Sequence, residues 1–243
     1  NHCGSLESQK AIFSTTILTA LECKLVPGFL KQLDAGNGQV FGVTSSNTVF
    51  TLYGGAWTMI RGSLKHVSVG PAGVWGVDSS NFIYRLQNGE WVVVGGLLKQ
   101  VDAGGSVFAA GVNMYDDIFC GVGWKTLPGK LKYYSCGPYS CWGVNSADQI
   151  FIMKDVTSSA CGGSLNWEHI PGALSMIEVS TDGKVYGVNS NGDVFTRDGV
   201  SPRAPAGTGW RHIPIGRAIK HVSYDLGHLW AIAKDDQILE CTE

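Results

Sequence analysis

Two cysteines lie five positions apart in the stretch KYYSCGPYSCWGV, at Cys136 and Cys141. Cysteines this close can ligate a metal, form a redox pair or close a small loop with a disulfide. A zinc site needs further cysteine or histidine ligands at short spacing, and the chain has neither a Cys-x-x-Cys pair nor a histidine beside these two residues. The spacing therefore favours a structural disulfide.

The residues that could carry catalysis are scattered through the chain, at His66, His169, His212, His221 and His228. The sequence has no Gly-x-Ser-x-Gly elbow, phosphate-binding loop, His-Glu-x-x-His motif or dinucleotide fingerprint. Since no nucleophile is placed beside a base, we expect a protein that is not an enzyme.

Polar turns offer binding chemistry instead. Amides and carboxylates hydrogen-bond to sugar hydroxyls, while an aromatic face packs on the sugar's C–H groups. The same residue types are also required by hairpin turns, so a purely structural role stays open for each of them. The candidate sugar-binding residues are Asn113, Tyr115, Asp117, Tyr139, Trp142, Asn145, Asp148, Asn189, Asp193, His228 and Trp230.

Composition limits the class of protein and its partners. The chain has 243 residues, of which 44% are hydrophobic and 16% charged, and its formal net charge is -2. These values are typical of a soluble globular protein with a sizeable core. Because the charge is nearly balanced, we expect no nucleic-acid partner and no membrane insertion.

The first twenty residues need separate treatment. Lys10 precedes an apolar segment, Ala11–Leu21, which is too short to span a bilayer and is typical of a secretory signal peptide. Cleavage near Ala20 would leave residues 21–243 as one domain; an N-terminal extension or helix is the alternative. Secretion would expose the chain to an oxidising compartment, and loss of Cys3 would leave six cysteines, an even number.

The elements that position these residues are six copies of one unit. Each copy has a Trp, a Gly-containing turn, a Leu-Lys strand, and a Gly-Val element followed by a polar turn. Five copies begin at Trp57, Trp91, Trp124, Trp167 and Trp210, and a copy without Trp starts near Cys23. The Gly-Val element recurs 32 to 44 residues apart, at Gly42, Gly76, Gly111, Gly143 and Gly187, with Ala231-Ile232 as the sixth.

Four short apolar runs make up each copy, as at Trp57–Ile60, Leu64–Val69, Val74–Val77 and Phe82–Leu86. Their richness in Val, Ile, Tyr, Trp and Phe predicts strands. Six four-stranded units predict an all-β fold, a six-bladed β-propeller. A β-trefoil or a sandwich is the alternative, but six such copies suit neither.

A closed propeller requires the N-terminal strand to complete the last sheet. The segment from Glu22 to Val26 would then lie beside the segment from Gln237 to Cys241, which predicts a disulfide between Cys23 and Cys241. By elimination, Cys120 pairs with Cys161.

A second period runs through alternate copies. At the end of the Leu-Lys strand the odd copies carry the acids Asp34, Asp102 and Glu178, where the even copies carry Ser68, Ser135 and Ser223. The even copies also have Trp75, Trp142 and Trp230 before the Gly-Val element. Three acids around a central channel could hold Ca²⁺, which prefers oxygen ligands. The alternative is that they are solvated or hydrogen-bonded to neighbouring strands.

The copies WEHIPGALSMIEVSTDGKVYGVNSNGDVF and WTMIRGSLKHVSVGPAGVWGVDSSNFIY resemble tectonin repeats. The region from Leu21 to Cys241 is similar to the secreted fish-egg lectins of that family, most closely in KQVDAGG, GVNMYDDI and LKYYSCGPYSCWGVNSADQIFIMKDV. The resemblance implies a six-bladed propeller, secretion and a role in egg protection or innate immunity. It also implies binding of N-acetylglucosamine-type glycans or bacterial polysaccharide or lipopolysaccharide.

Calcium is bound by some members of this family and not by others, so we expect no required cofactor and keep structural Ca²⁺ open. A second class of function is a non-catalytic protein-interaction propeller or an egg structural protein. Assembly into a homo-oligomer also stays open.

Overall fold

The computed structural model describes residues 21–242. The predicted leader, residues 1–20, and its cleavage near Ala20 lie outside the described residues. Within the described range every regular element is a β-strand, and no helix there is long and apolar enough to cross a membrane.

The strands form six antiparallel, four-stranded sheets, which we call blades. Blade 1 comprises β2 (Gln32–Gly36), β3 (Gln39–Val43), β4 (Thr48–Tyr53) and β5 (Ala56–Ser63). Blade 2 comprises β6 (His66–Gly70), β7 (Gly73–Val77), β8 (Phe82–Gln87) and β9 (Glu90–Leu97). Blade 3 comprises β10 (Gln100–Asp102), β11 (Ala110–Val112), β12 (Asp117–Cys120) and β13 (Lys125–Lys130).

The second half of the chain continues the pattern. Blade 4 comprises β14 (Tyr133–Cys136), β15 (Cys141–Val144), β16 (Ile150–Met153) and β17 (Trp167–Ile170). Blade 5 comprises β18 (Met176–Val179), β19 (Val185–Val188), β20 (Val194–Asp198) and β21 (Gly209–Ile213). Blade 6 comprises β22 (Ile219–Asp225), β23 (His228–Ala233), β24 (Gln237–Thr242) and, as its outer strand, β1 (Glu22–Phe29).

The blades are arranged around a central channel. Their innermost strands, β2, β6, β10, β14, β18 and β22, each contact the innermost strands of the two adjacent blades, and β22 contacts β2. The hydrophobic cores lie between neighbouring blades, as where Phe41 and Val43 of blade 1 pack with Val67 and Val69 of blade 2. The predicted six-bladed propeller is therefore confirmed.

The sequence copies are out of phase with the blades. The Trp57 strand that begins the second copy is β5, the outer strand of blade 1, and the next three strands of that copy belong to blade 2. Each copy thus links two blades covalently, and the first outer strand is left to close the ring.

Closure follows the predicted pairing. Strand β1 runs antiparallel to β24, with Cys23 opposite Cys241, and these two residues are disulfide-bonded. The other two predicted disulfides are confirmed as well, Cys136–Cys141 across the β14–β15 hairpin and Cys120–Cys161 between blades 3 and 4.

The repeated Trp joins the outer strands of neighbouring blades. In five of the six junctions the Trp ring lies against a glycine in or just after the preceding outer strand, at Gly28, Gly62, Gly96, Gly129 and Gly172. These glycines have φ between 95° and 140°, a conformation that disfavours side chains. The indole also donates to a backbone carbonyl in four cases, for example Trp210 Nε1 to Pro171 O at 3.0 Å.

The sixth junction, between blades 5 and 6, lacks this contact. Cys23 occupies the Trp position, and Ile215 packs near it in the same hydrophobic cluster. The copy without Trp is therefore the one in which a disulfide links the outer strand to its neighbour.

Loss of the closing disulfide should destabilise the protein more than loss of the hairpin disulfide. The bonds span 218 and 5 residues, which corresponds to about 5 and about 2 kcal/mol in the chain-entropy estimate. Under non-reducing conditions Cys23→Ser should therefore lower the Tm far more than Cys136→Ser. Equal shifts would contradict closure by the β1–β24 join.

Filling one Trp-contact glycine should cost stability beyond the effect of backbone strain. A Cβ at Gly62 would lie 2.6 Å from Trp91 Cδ1, whereas a Cβ at Gly28, the equivalent position of the blade 6–blade 1 junction, would lie 3.5 Å from Trp57. The φ values are 140° and 114°, so Gly28→Ala is the matched control. We expect Gly62→Ala to cost about 1–3 kcal/mol more in urea unfolding; equal costs would show that the closer Trp contact contributes nothing.

Candidate functional site: the two faces and the central channel

The loops of the propeller emerge at two ends. One end, the lysine face, carries the turns between the second and third strands of each blade and the linkers between blades. Leu64 N donates to Asn47 O, and Leu98 N to Asn81 O, so these two sets of loops are joined. The polar turns and the Gly-containing linkers therefore share a face. The other end is the opposite face.

A lysine just before or at the start of the innermost strand reaches the polar turn in five blades. Lys31 Nζ lies 2.5 Å from Asn47 Oδ1, and Lys132 Nζ lies 2.5 Å from Asp148 Oδ1. The other pairs are Lys65–Asn81, Lys99–Asp116 and Lys220–Asp236. The candidate residue Asp148 is thus ion-paired, and its φ of 61° places it in the turn.

The three candidate asparagines shape their turns. Asn113 Oδ1 accepts from Tyr115 N and Asp117 N at 2.9 Å, and its Nδ2 donates to Asp117. Asn145 and Asn189 form the same Asx-type bonds in blades 4 and 5. Both polar ends of each amide are therefore used inside the turn.

Other turn side chains are open to solvent on the lysine face. The Tyr115 side chain is 70% exposed. Asp117 pairs with Lys130, and the bond from this ammonium lowers the pKa of the Asp117 carboxyl. Asp193 Oδ1 lies 3.9 Å from His212 Nε2, leaving both groups accessible.

Two candidate tryptophans are buried instead. Trp142 is 0% and Trp230 is 5% exposed. Trp142 meets Trp210 of the next blade edge-to-face at 5.9 Å, and Trp230 shares a cluster with Trp57. The structure thus corrects the expectation that these rings offer a face to a sugar, because the next blade covers them.

The remaining candidates, Tyr139 and His228, lie on the opposite face. Tyr139 is half-buried, and its hydroxyl packs against the turn at Gly183. His228 Nδ1 lies 2.8 Å from Glu240 Oε1. The eleven candidates are therefore not brought together into one site.

The three acids line the channel as links between blades. Asp34 Oδ2 accepts from Val69 N at 2.7 Å and from Ser68 Oγ at 2.9 Å, both in the next blade. Asp102 accepts in the same way from Cys136 N and Ser135 Oγ. The serine of each even blade in turn accepts a hydrogen bond from a backbone N–H of the following blade, as where Ser68 Oγ accepts from Ala103 N. The alternate period of acids and serines thus forms a belt of hydrogen bonds.

Glu178 breaks the pattern because it points back to blade 4. It accepts from Tyr133 OH and, at 2.9 Å, from Ser135 Oγ. Ser135 Oγ also lies 3.1 Å from Asp102 Oδ1. The Ser135 hydroxyl has one proton and can donate it to only one of these two carboxyl groups. The other carboxyl group makes its contact by being protonated and donating to Ser135 Oγ.

Burial governs the ionisation of these groups. It raises the pKa of Asp34 to about 6, against the bonds from Val69 and the two serines. It also raises the pKa values of Asp102 and Glu178, and the neighbouring carboxylates raise them further. Burial lowers the pKa of His66 to about 3 and that of His221 to about 4, so both imidazoles are neutral at pH 7.

Calcium bound by these three acids would have to displace the hydrogen bonds of the belt. The acid oxygens face N–H and O–H donors, which repel a cation, and among residues 21–242 no group of three His, Cys, Asp or Glu residues is close enough to hold a metal. The residues present therefore do not fit a three-acid Ca²⁺ site in this arrangement, and calcium stays a prediction.

The faces carry concave surfaces between the loops. On the lysine face, a cavity of about 440 Å³ in blade 5 is lined by Asn191, Asp193, His212, Pro214 and Arg217, among others. Only Asp193 was among the candidates. The signal for the rest is the linker HIPIGRAI, which is two residues longer than the corresponding HIPGAL of blade 4.

Replacing Asp34 should change the pH dependence of stability. Because its pKa is raised on folding, the carboxyl favours the folded state as the pH falls below about 6 towards its unfolded value of 3.8. Wild-type protein should therefore gain about 2 kcal/mol over Asp34→Asn between pH 8 and pH 4.5. The comparison cancels the opposing effect of His66 and His221. A constant difference in urea unfolding at the two pH values would contradict the raised pKa.

Comparison with known proteins places the chain in a family. The tectonin domain matches residues 29–234. Fish-egg lectin of Cyprinus carpio is 59% identical over 234 residues, which cover 91% of this chain and 98% of that protein.

Solved structures share the fold at low identity. U3-55K aligns with a TM-score of 0.61 over 91% of this chain and 98% of its own, at 7% identity. Virginiamycin B lyase from Staphylococcus aureus aligns with a TM-score of 0.59 over 87% and 79%, at 14% identity. These two likenesses show the fold alone. From the match to the tectonin domain and the close relation to fish-egg lectin, the chain belongs to the tectonin family, as a propeller of the fish-egg lectin type.

Proposed function

We propose that this protein is a secreted, non-catalytic lectin that binds N-acetylglucosamine-type glycans on microbial surfaces, in the defence of eggs or body fluids. The observation that carries the proposal is the 59% identity to fish-egg lectin across nearly the whole of both chains. Three disulfides support a site of action in an oxidising, extracellular compartment.

The blade 5 cavity on the lysine face is the sugar site that we propose. Its volume of about 440 Å³ lies in the range of small-ligand sites. Asp193 and His212 supply an acceptor and a donor for hydroxyl groups, and Pro214 and Ile215 supply apolar surface for sugar C–H groups or an acetamido methyl. Arg217 at the rim is tied to Asp235 at 3.0 Å, which holds the wall of the cavity in place.

Repetition would strengthen weak binding. The turns of blades 3 and 4 carry the polar residues Asp117 and Gln149 at the position of Asp193, each with its backbone N–H bonded to the turn asparagine. Equivalent sites on one rigid particle gain avidity on a dense glycan surface, including bacterial polysaccharide or lipopolysaccharide.

A glycan array tests the proposal. Labelled protein should bind GlcNAc-terminated glycans, and free GlcNAc should compete. Asp193→Ala and His212→Ala should each weaken binding about 10-fold, since each removes hydrogen bonds to a buried hydroxyl. Glu90→Ala, in an exposed hairpin of the opposite face, is the control and should bind like wild type.

Two results would count against the proposal in different ways. Absence of binding to any GlcNAc glycan at millimolar concentration would reject the GlcNAc lectin and leave the protein-interaction or egg structural role. Binding that both cavity variants retain would reject the blade 5 cavity as the site.

A further inference from the structure

The even-blade tryptophans define three related clefts on the opposite face. Trp75, Trp142 and Trp230 each pack towards the next blade, and each has one cross-strand partner on the third strand of its own blade. The partners differ in charge: Arg85 faces Trp75, Ile152 faces Trp142 and Glu240 faces Trp230. The pseudo-threefold repeat thus provides one scaffold with three different polar groups.

Two of these clefts are closed or internally neutralised. Between blades 4 and 5, Trp142 is fully buried, and Arg197 beside it is already bonded, since its Nε donates to Ala206 O at 2.8 Å. Between blades 6 and 1, Glu240 lies 2.8 Å from His228 and 3.4 Å from Lys24, beside a small cavity of about 140 Å³.

The cleft between blades 2 and 3 is open and has an unpaired cation. It encloses about 370 Å³, with Trp75, Trp124 and Phe108 among its walls and Arg85 as its one charged lining residue. The Arg85 guanidinium lies 5.5 Å from the centre of the Trp75 ring. Across residues 21–242, Arg85 has no carboxylate within ion-pair distance and no hydrogen-bonded side chain or carbonyl.

The rim of this cleft is apolar and accessible. Val107 is 69% exposed and Val122 lies fully in solvent, on the two blade 3 loops that flank the opening. Gly123 beside it adds no side chain that could close the mouth. A ligand can therefore reach both the aromatic wall and the guanidinium.

We propose that the cleft between blades 2 and 3 binds an acidic sugar of the hexuronate type. Arg85 pairs with the carboxylate through two parallel N–H bonds, and the C–H face of the pyranose lies on the aromatic and apolar wall. Charge complementarity selects this occupant, because a neutral sugar leaves the guanidinium without a partner. The site lies on the other face from the proposed GlcNAc cavity and rests on the lectin proposal only for the choice of a sugar as ligand.

Titration with methyl glucuronide and methyl glucoside, followed by calorimetry or ligand-observed NMR, tests the site. Wild-type protein should bind the glucuronide at least about 10-fold more tightly than the glucoside. Arg85→Gln should reduce glucuronide affinity to the level of the glucoside. Arg61→Gln, which removes an exposed arginine of β5 outside the cleft, should leave it unchanged.

Equal affinity of wild type for the two sugars, or unchanged binding by Arg85→Gln, would overturn the proposal. An equal loss in Arg61→Gln would also overturn it, because binding would then follow net charge. GlcNAc titrated into the same samples separates the two proposals: loss of GlcNAc binding in Asp193→Ala with glucuronide binding kept shows that they concern different sites.

Discussion

The hydrogen bonds that cross from one innermost strand to the next hold the propeller together at its narrowest point. Neighbouring blades share no β-ladder, so the backbone groups at the inner edge of each sheet need partners from side chains. Asp34, Asp102 and three serines supply them, and Gln32 does so again by bonding both Val67 N and Val67 O. Burying an acidic group costs free energy, yet here each acid accepts hydrogen bonds from donors that would otherwise be buried and unpaired.

The outer strands of neighbouring blades are joined by a different interaction, the contact between a Trp ring and a glycine. In five of the six junctions a Trp covers a glycine in or just after the preceding outer strand, and the contact is close because glycine has no side chain. Only the blade 5–blade 6 junction lacks it, and this is where the chain ends meet and the Cys23–Cys241 bond is formed. The inner belt and the outer Trp contacts together make a rigid ring, so that its loops can differ between blades without loss of the fold. Each of the two proposed sugar sites accordingly includes a residue that breaks the repeat, Arg217 in the cavity and Arg85 in the cleft.

How far the sequence predicts the site depends on which residues repeat. The alternation of acids and serines is visible in the sequence because its cause, an inter-blade hydrogen bond, recurs with each pair of copies. The cavity residue Arg217 and the cleft residue Arg85 each occur in a single blade, so no period marks them, and His212 repeats only once, as His169 of blade 4. For Trp142 the sequence predicted a binding role that the structure does not support. An aromatic residue near a turn is typical of a sugar site, but the next blade covers this ring completely.

The sequence by itself determined the number of blades, the all-β class, the closure by N- and C-terminal strands and all three disulfides. The number of blades and the fold class follow from strand periodicity and turn chemistry, which repeat six times and so reinforce one another. The disulfides follow from the positions of six cysteines once the ring is required to close. Only the tertiary structure decided which face each loop joins, that the sequence copy is one strand out of phase with the blade, and which polar groups are used up inside the fold. Those outcomes depend on contacts between residues far apart in the chain, such as Asp34 with Ser223, whose strands meet only when the ring closes.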